Sequence, residues 1–303
     1  MKTIKFLLVT VVILCMSSCN GGKNGKPAST GQPYEVVLEG DTDSIVTRML
    51  TTDVPGLPQP EPLFSIIQVR RGKGGSLYQM VRNRIMVDIN ARHKGFAVKK
   101  NEDVNASPQV VIRISAQTVE QLRTHLDGEK LRHFLDQCEL KHLASVMKRN
   151  VEKQKEVKDL FGIDIKVPLD MEAGKKGKDF LWISNNANSG MQSLLFLKVK
   201  HGGRKAEKFQ ASYDDIKGQV DRLLRKNMVG ETDEMYMRIP HLKERGLWEM
   251  EGDAMGGPYV MKRVNGVKGK DDVVVIGFVY APEMKKKKLV KQLEAVLTTI
   301  QYK

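Results

Sequence analysis

The chain has 303 residues, three cysteines, 6% aromatic residues and a formal net charge of +14. That length supports one large domain or two smaller ones with a buried core, and the cysteines are too few for a disulfide scaffold. The basic clusters contain no interleaved aromatics of the kind that stack on single strands, so no nucleic-acid partner is expected.

The chain opens MKTIKFLLVTVVILCMSSCNGGKNGKPAST. Lys2 and Lys5 form a positive start, and Phe6 to Leu14 make an apolar block well short of the roughly 20 residues that cross a bilayer as a helix. Ser17 and Ser18 place small residues directly before Cys19. The pattern predicts a signal peptide over residues 1–18 and lipidation, palmitate included, at Cys19. A plain signal peptide and an uncleaved anchor are the alternatives. Cys15 would leave with the leader and Cys19 would carry lipid, so only Cys138 stays a thiol and neither a disulfide nor a multi-cysteine metal site is expected. Residues 19–33 then read as the lipidated cysteine and a flexible Gly, Asn, Ser and Pro tether, reaching roughly 45 to 50 Å at full stretch.

Tyr34 to Leu38 reads as a strand and Asp43 to Leu50 as a short helix. Asp53 to Pro62 holds four of the eleven prolines and reads as a stiff extended segment, either a structural strap or an exposed recognition loop. Strands are predicted at 63–69, 84–89 and 109–115, with a short one near Phe96. From Gln117 the apolar spacing becomes helical, with a break at Asp127-Gly128 and a longer helix from about Lys130 to Leu160. Further strands are predicted at 163–167, 180–184, 193–199, 235–239, 247–249, 258–262 and 273–280. Helices are predicted at 213–226 and 283–300.

These elements predict an α+β fold with mainly antiparallel sheets and long amphipathic helices. An N-terminal half at 34–160 and a C-terminal half at 161–303, or one continuous domain, would follow. VVIRISAQTVEQL near residue 110 and VVVIGFVYAPEMKKKKLVKQL near residue 273 are the most alike pieces, consistent with internal duplication of a strands-then-helix unit.

Two groups of residues carry the functional expectations. In WEMEGDAMGGPY, Trp248, Glu249, Glu251, Asp253, Gly256 and Gly257 are candidates for ligand binding. Three carboxylates alternate along a strand, where they could serve acid–base chemistry or a divalent cation, and the glycines permit close backbone approach. The competing reading is a turn with charges that balance nearby Lys and Arg. Arg92, Lys94, Lys285, Lys286, Lys287 and Lys288 are candidates for a basic surface that meets an anionic polymer, an envelope protein or lipid headgroups, against the plainer reading of a solvated face. Cys138 and His142 stand at helical spacing but lack further ligands, and no metal site is assigned. No phosphate loop, dinucleotide fingerprint, nucleophile elbow or triad spacing occurs, so no catalytic residue and no cofactor is assigned.

The Cys19 start, VPGLPQPEPLF at 54–64, the Arg82-Asn83 pair, WEMEGDAMGGPYV at 248–260 and GFVYAPEMKKKKLVKQLEAVLTTI at 277–300 together resemble a family of uncharacterised Bacteroidota lipoproteins, domain of unknown function 4837. The resemblance extends over essentially the whole chain after the leader and carries no activity or ligand. It implies a cell-envelope location at the outer membrane facing the periplasm. The expected function is a non-enzymatic binding or structural lipoprotein acting through its basic surface. The alternative is a hydrolase-like enzyme or cation-dependent binder built on Glu249, Glu251 and Asp253.

Overall fold

The computed structural model describes residues 25–200, 213–232, 234–266 and 271–301. The expected leader over 1–18, Cys19 and the first tether residues 20–24 lie outside the described residues. The chain divides into two compact units. The first takes the described residues up to Thr51 together with Phe64–Leu135, and the second takes Thr52–Leu63 together with Asp136 onward.

In the first unit β1 (Glu35–Glu39), α1 (Ile45–Leu50), β2 (Ser65–Val69), α2 (Ser76–Gln79), β3 (Asn83–Ile89), β4 (Ala97–Glu102) and β5 (Val110–Ala116) are followed by α3 (Val119–His125) and the start of α4 (Gly128–Val146). The sheet order is β2-β1-β3-β5-β4. β1 pairs in parallel with β2 and β3, β3 pairs in parallel with β5, and only β4 runs antiparallel. The expected α+β fold with mainly antiparallel pairing holds for the chain, and this mixed sheet is the part that departs from it. Parallel neighbours need crossovers of a dozen or more residues, and the connections from Gly40 to Phe64 and from Arg70 to Arg82 supply that length. The apolar runs of β1 and β5 are buried, whereas β4 is exposed along its length and carries Lys99 and Lys100, a charged edge that discourages further pairing.

The tether expected up to residue 33 is anchored over its second half. The N–H of Thr30 donates to the Met80 carbonyl at 2.9 Å, that of Arg82 donates to Thr30, and that of Ser107 donates to Pro27. Lys26 Nζ donates to the Asp103 and Val104 carbonyls.

The second unit contains the end of α4, then α5 (Val151–Phe161), β6 (Ala173–Lys176), β7 (Phe180–Ser184), β8 (Met191–Val199), α6 (Asp214–Asn227), β9 (Tyr236–Arg238), β10 (Arg245–Glu251), β11 (Gly256–Val264), β12 (Asp272–Tyr280) and α7 (Lys287–Thr298). Its sheet has the order β6-β7-β8-β12-β11-β10-β9, and every pairing is antiparallel. β12 lies in the middle and is buried on both faces, which explains its unbroken VVVIGFV run. Val273, Val275 and Val279 pack with Val157 and Phe161 of α5 and with Val290, Leu293 and Val296 of α7. Val274, Ile276 and Phe278 pack on the other side with Ile216, Val220 and Leu224 of α6.

Two predicted elements change. The long helix expected to reach Leu160 breaks after Val146, because Asn150 turns outward from helical geometry and accepts the Lys153 N–H through Oδ1 at 3.1 Å, starting α5 as its cap. The strand expected at 163–167 is extended chain whose Ile163, Ile165 and Val167 enter the core, with a single bridge from Asp164 to Gln301. The duplication expected from the two similar pieces has no counterpart in the pairing. β5 lies between a parallel and an antiparallel neighbour, while both neighbours of β12 are antiparallel. The seam between the two units falls inside α4. Among the described residues no helix is long and apolar enough to cross a membrane.

Candidate functional site: a cleft beside the β10–β11 hairpin

The proline segment is a strap. Asp53 bridges Pro62, and the Val54 N–H donates to the Glu61 carbonyl at 2.9 Å, so the segment folds back on itself. Gly56 has a φ of +79° and sits so close to β10 that a Cβ there would lie 3.3 Å from the Gly246 nitrogen, a position suited to glycine alone. At the far end the buried Glu61 carboxylate accepts the N–H of Lys286 at 2.6 Å and of Lys287 at 3.2 Å. These groups open α7, whose own Lys286 supplies no side-chain cap. A carboxylate brought from the strap satisfies orphan donors and complements the helix dipole.

This arrangement changes the reading of the lysine run. Lys286 is only 4% exposed, and its Nζ donates to Gln59 Oε1 at 3.2 Å and to the Met284 carbonyl at 2.9 Å. Lys287 Nζ donates to the carbonyls of Pro62 and Leu63, and burial pushes its pKa below the usual lysine value despite the opposing Glu61 charge. Lys285 and Lys288 remain exposed in this unit, and Arg92 and Lys94 are exposed in the turn between β3 and β4 of the other unit. Two of the six basic-surface candidates thus hold the strap to α7.

The strap and the β10–β11 hairpin border a cleft of about 630 Å³. Pro58, Gln59 and Lys286 line it together with the hairpin from Leu247 to Gly257, Tyr280 and Pro282. All six ligand candidates are among these residues, but their roles differ. Trp248 is 2% exposed, packs edge-on against Phe278 with ring centroids 5.1 Å apart, and donates its Nε1 hydrogen to the Val279 carbonyl at 3.1 Å. It belongs to the core. A Cβ on Gly256 would lie 2.9 Å from the Trp248 carbonyl, and one on Gly257 would lie 2.1 Å from the Val279 carbonyl. The close approach expected of these glycines is therefore made by neighbouring protein backbone.

Glu249 and Glu251 share one face of β10, as alternation dictates. Arg238 stands opposite Glu249 on β9 and contacts both, with Nε 2.7 Å from Glu249 Oε1 and Nη1 2.7 Å from Glu251 Oε2. Asp253 departs from the expected alternation. It lies beyond the strand in the turn, where Gly252 takes a φ of +77° and Asp253 Oδ1 accepts the Ala254 N–H at 2.6 Å. Among the described residues no group of three His, Cys, Asp or Glu is arranged to hold a metal ion. The cleft therefore offers mixed recognition chemistry: apolar surface from Leu247, which is 47% exposed, and a half-exposed Glu–Arg–Glu bridge. Sequence reasoning missed Arg238, Gln59 and Leu247. The signal for Arg238 was a basic residue eleven positions before Glu249, on the strand that pairs with the acidic one.

Residues 150–299 match a family described as domain of unknown function (DUF4837), and residues 29–148 match another described as domain of unknown function (DUF8532). No curated protein and no solved structure matches the chain. The resemblance expected over nearly the whole chain is thus found over its second half, while the proline strap and Arg82-Asn83 fall in the segment matched by the other family. The hairpin, β12, α7 and their cleft wall lie within residues 150–299, and those residues constitute a DUF4837 domain.

Proposed function

We propose that this protein is a cell-envelope lipoprotein of Bacteroidota type, anchored through acyl chains on Cys19 at the outer membrane and facing the periplasm, and that it acts as a non-enzymatic binding protein. The anchor rests on the Lys2–Cys19 pattern. The binding role rests on one observation: Arg238 occupies both Glu249 and Glu251 at 2.7 Å beside an open cleft with exposed apolar surface. A general acid or base needs a free carboxyl group and a cation needs uncommitted oxygens, so the bridge favours recognition over catalysis. The burial of Lys286 and the internal bonding of Lys287 leave the lysine run less available and support the hairpin cleft as the proposed binding surface.

The anchor is tested by metabolic labelling with palmitate. Labelling should be lost in Cys19→Ser and retained in Cys15→Ser. The reverse pattern, or no labelling, would remove the lipoprotein reading. The binding role is tested by site-specific photo-crosslinking in cells from position 247, where a discrete adduct is expected and its absence would remove the reading.

A further inference from the structure

The first unit contains a second concavity, and its position follows from topology. After β1 the chain crosses to β2 on one side, then returns past β1 to β3 on the other. Connections leaving the carboxyl ends of neighbouring parallel strands therefore diverge, and open α/β sheets bind ligands in the crevice this creates. Here β1 ends at Glu39 opposite Met86, while β3 continues to Ile89. Gly40, with a φ of +83°, turns the chain away so tightly that a Cβ would lie 2.3 Å from the Val87 carbonyl. A cavity of about 460 Å³ results, within the range of small-molecule sites.

Its floor is apolar and fixed. Leu38 and Val87 are buried, and Ile89 is half-buried beside them. The polar groups around it are mostly committed. Asp41 accepts the N–H groups of Val46 and Thr47 and the Thr47 hydroxyl, at 2.8 to 3.2 Å, and Gln68 donates to Thr47 Oγ1. Arg71 pairs with Asp88 at 2.6 Å. Arg70 is exposed at the rim and has no ion pair among the described residues. The Asp41 carboxylate is turned to these N–H and hydroxyl donors, so an apolar floor below the exposed Arg70 guanidinium suits a ligand with an apolar body and a single carboxylate or phosphate. We propose that the carboxyl ends of β1, β2 and β3 form a binding site for a small amphipathic anion, with Leu38, Val87 and Ile89 receiving its body and Arg70 its charge. This site is independent of the hairpin cleft.

Photolabelling of the full-length protein with benzophenone-4-carboxylate tests it, with adducts mapped by mass spectrometry. Saturable labelling is expected within residues 38–42 and 85–89. It should be competed by 4-phenylbutyrate or phenyl phosphate but not by uncharged 4-phenylbutanol, and the two anions rank carboxylate against phosphate as the natural head group. Arg70→Glu should weaken labelling roughly tenfold or more, the scale of a lost charge-assisted hydrogen bond, and Ile89→Trp should block it by filling the floor. Arg70 is exposed, so its replacement leaves the fold intact and keeps the test decisive even if Ile89→Trp misfolds. Leu247→Asp, in the hairpin cleft, should leave labelling unchanged. Labelling that does not saturate, that is indifferent to Arg70→Glu, or that moves to residues 247–257 would overturn the proposal.

Discussion

The Glu61 carboxylate accepts the backbone N–H of Lys286 at 2.6 Å across 225 positions of sequence, and with it caps a helix that lacks a cap of its own. A segment that reads as a free proline loop is thereby made part of the second unit. Glu61→Ala should lower stability by about 2 kcal/mol, since a charged acceptor is lost from two donors at a buried helix start. Limited proteolysis within residues 52–63 should accelerate in parallel. Glu61→Gln keeps an acceptor and should cost less.

The Arg238 bridge makes a different prediction. Its three side chains are about half exposed, so Glu249→Gln or Glu251→Gln should change stability by no more than about 1 kcal/mol. Calcium at millimolar concentration should leave the melting temperature of the parent protein unchanged. Arg238→Ala frees both carboxylates, and its melting temperature should rise on calcium addition. A calcium response in the parent would mean the carboxylates are available there, contrary to the bridge.

Asp272 has no exposure, pairs with Arg263 at 2.7 Å and accepts the Gly266 N–H at 2.7 Å. Burial opposes the Arg263 charge, but the bonds to Asp215 and Asp272 outweigh it and hold the guanidinium pKa above its usual value. Asp272→Ala would remove the buried one of these two carboxylate partners and leave Asp215, which is partly exposed, to hold the guanidinium. Chemical denaturation should show a loss of about 3 kcal/mol.

Tyr259 is buried, donates its hydroxyl hydrogen to the His241 carbonyl at 2.8 Å and accepts the Lys243 N–H at 3.0 Å. Burial raises its pKa above the ordinary 10.0, with the Lys243 N–H opposing. The folded state therefore holds this proton where the unfolded state releases it. The stabilisation is fully present below pH 10 and is lost as pH rises through and beyond that value. Tyr259→Phe should cost about 1 kcal/mol at neutral pH and flatten the alkaline decline. Tyr213, raised by burial and then by Glu244, should keep part of that decline. Denaturant midpoints measured across the alkaline range read both effects.

What could be read from sequence was local. The apolar run of β12, the alternation of β10 and the amphipathic faces of α6 and α7 carry their periods within a few residues, and they form where expected. The break before α5 was also local, but Asn150 lies in a charged stretch that continues the helical period and conceals the cap. Parallel pairing in the first sheet was not legible, because β1 and β3 meet across more than forty intervening residues and leave no short-range mark. The same holds for Glu61 and the lysine run. Four consecutive lysines read as a solvated face unless the chain that covers Lys286 is known. The hairpin stretch, read from sequence as a ligand-binding candidate or a charge-balanced turn, borders a cleft, yet its tryptophan and glycines serve packing and its acids are held by Arg238.

The most direct test of the binding account is photo-crosslinking in cells from defined positions of the full-length protein. A crosslinking residue replacing Leu247 should give a discrete adduct that survives charge reversal at Arg92 and Lys94, because the cleft rather than the basic surface makes the contact. Adducts from Arg92 or Lys288 with none from Leu247 would contradict it.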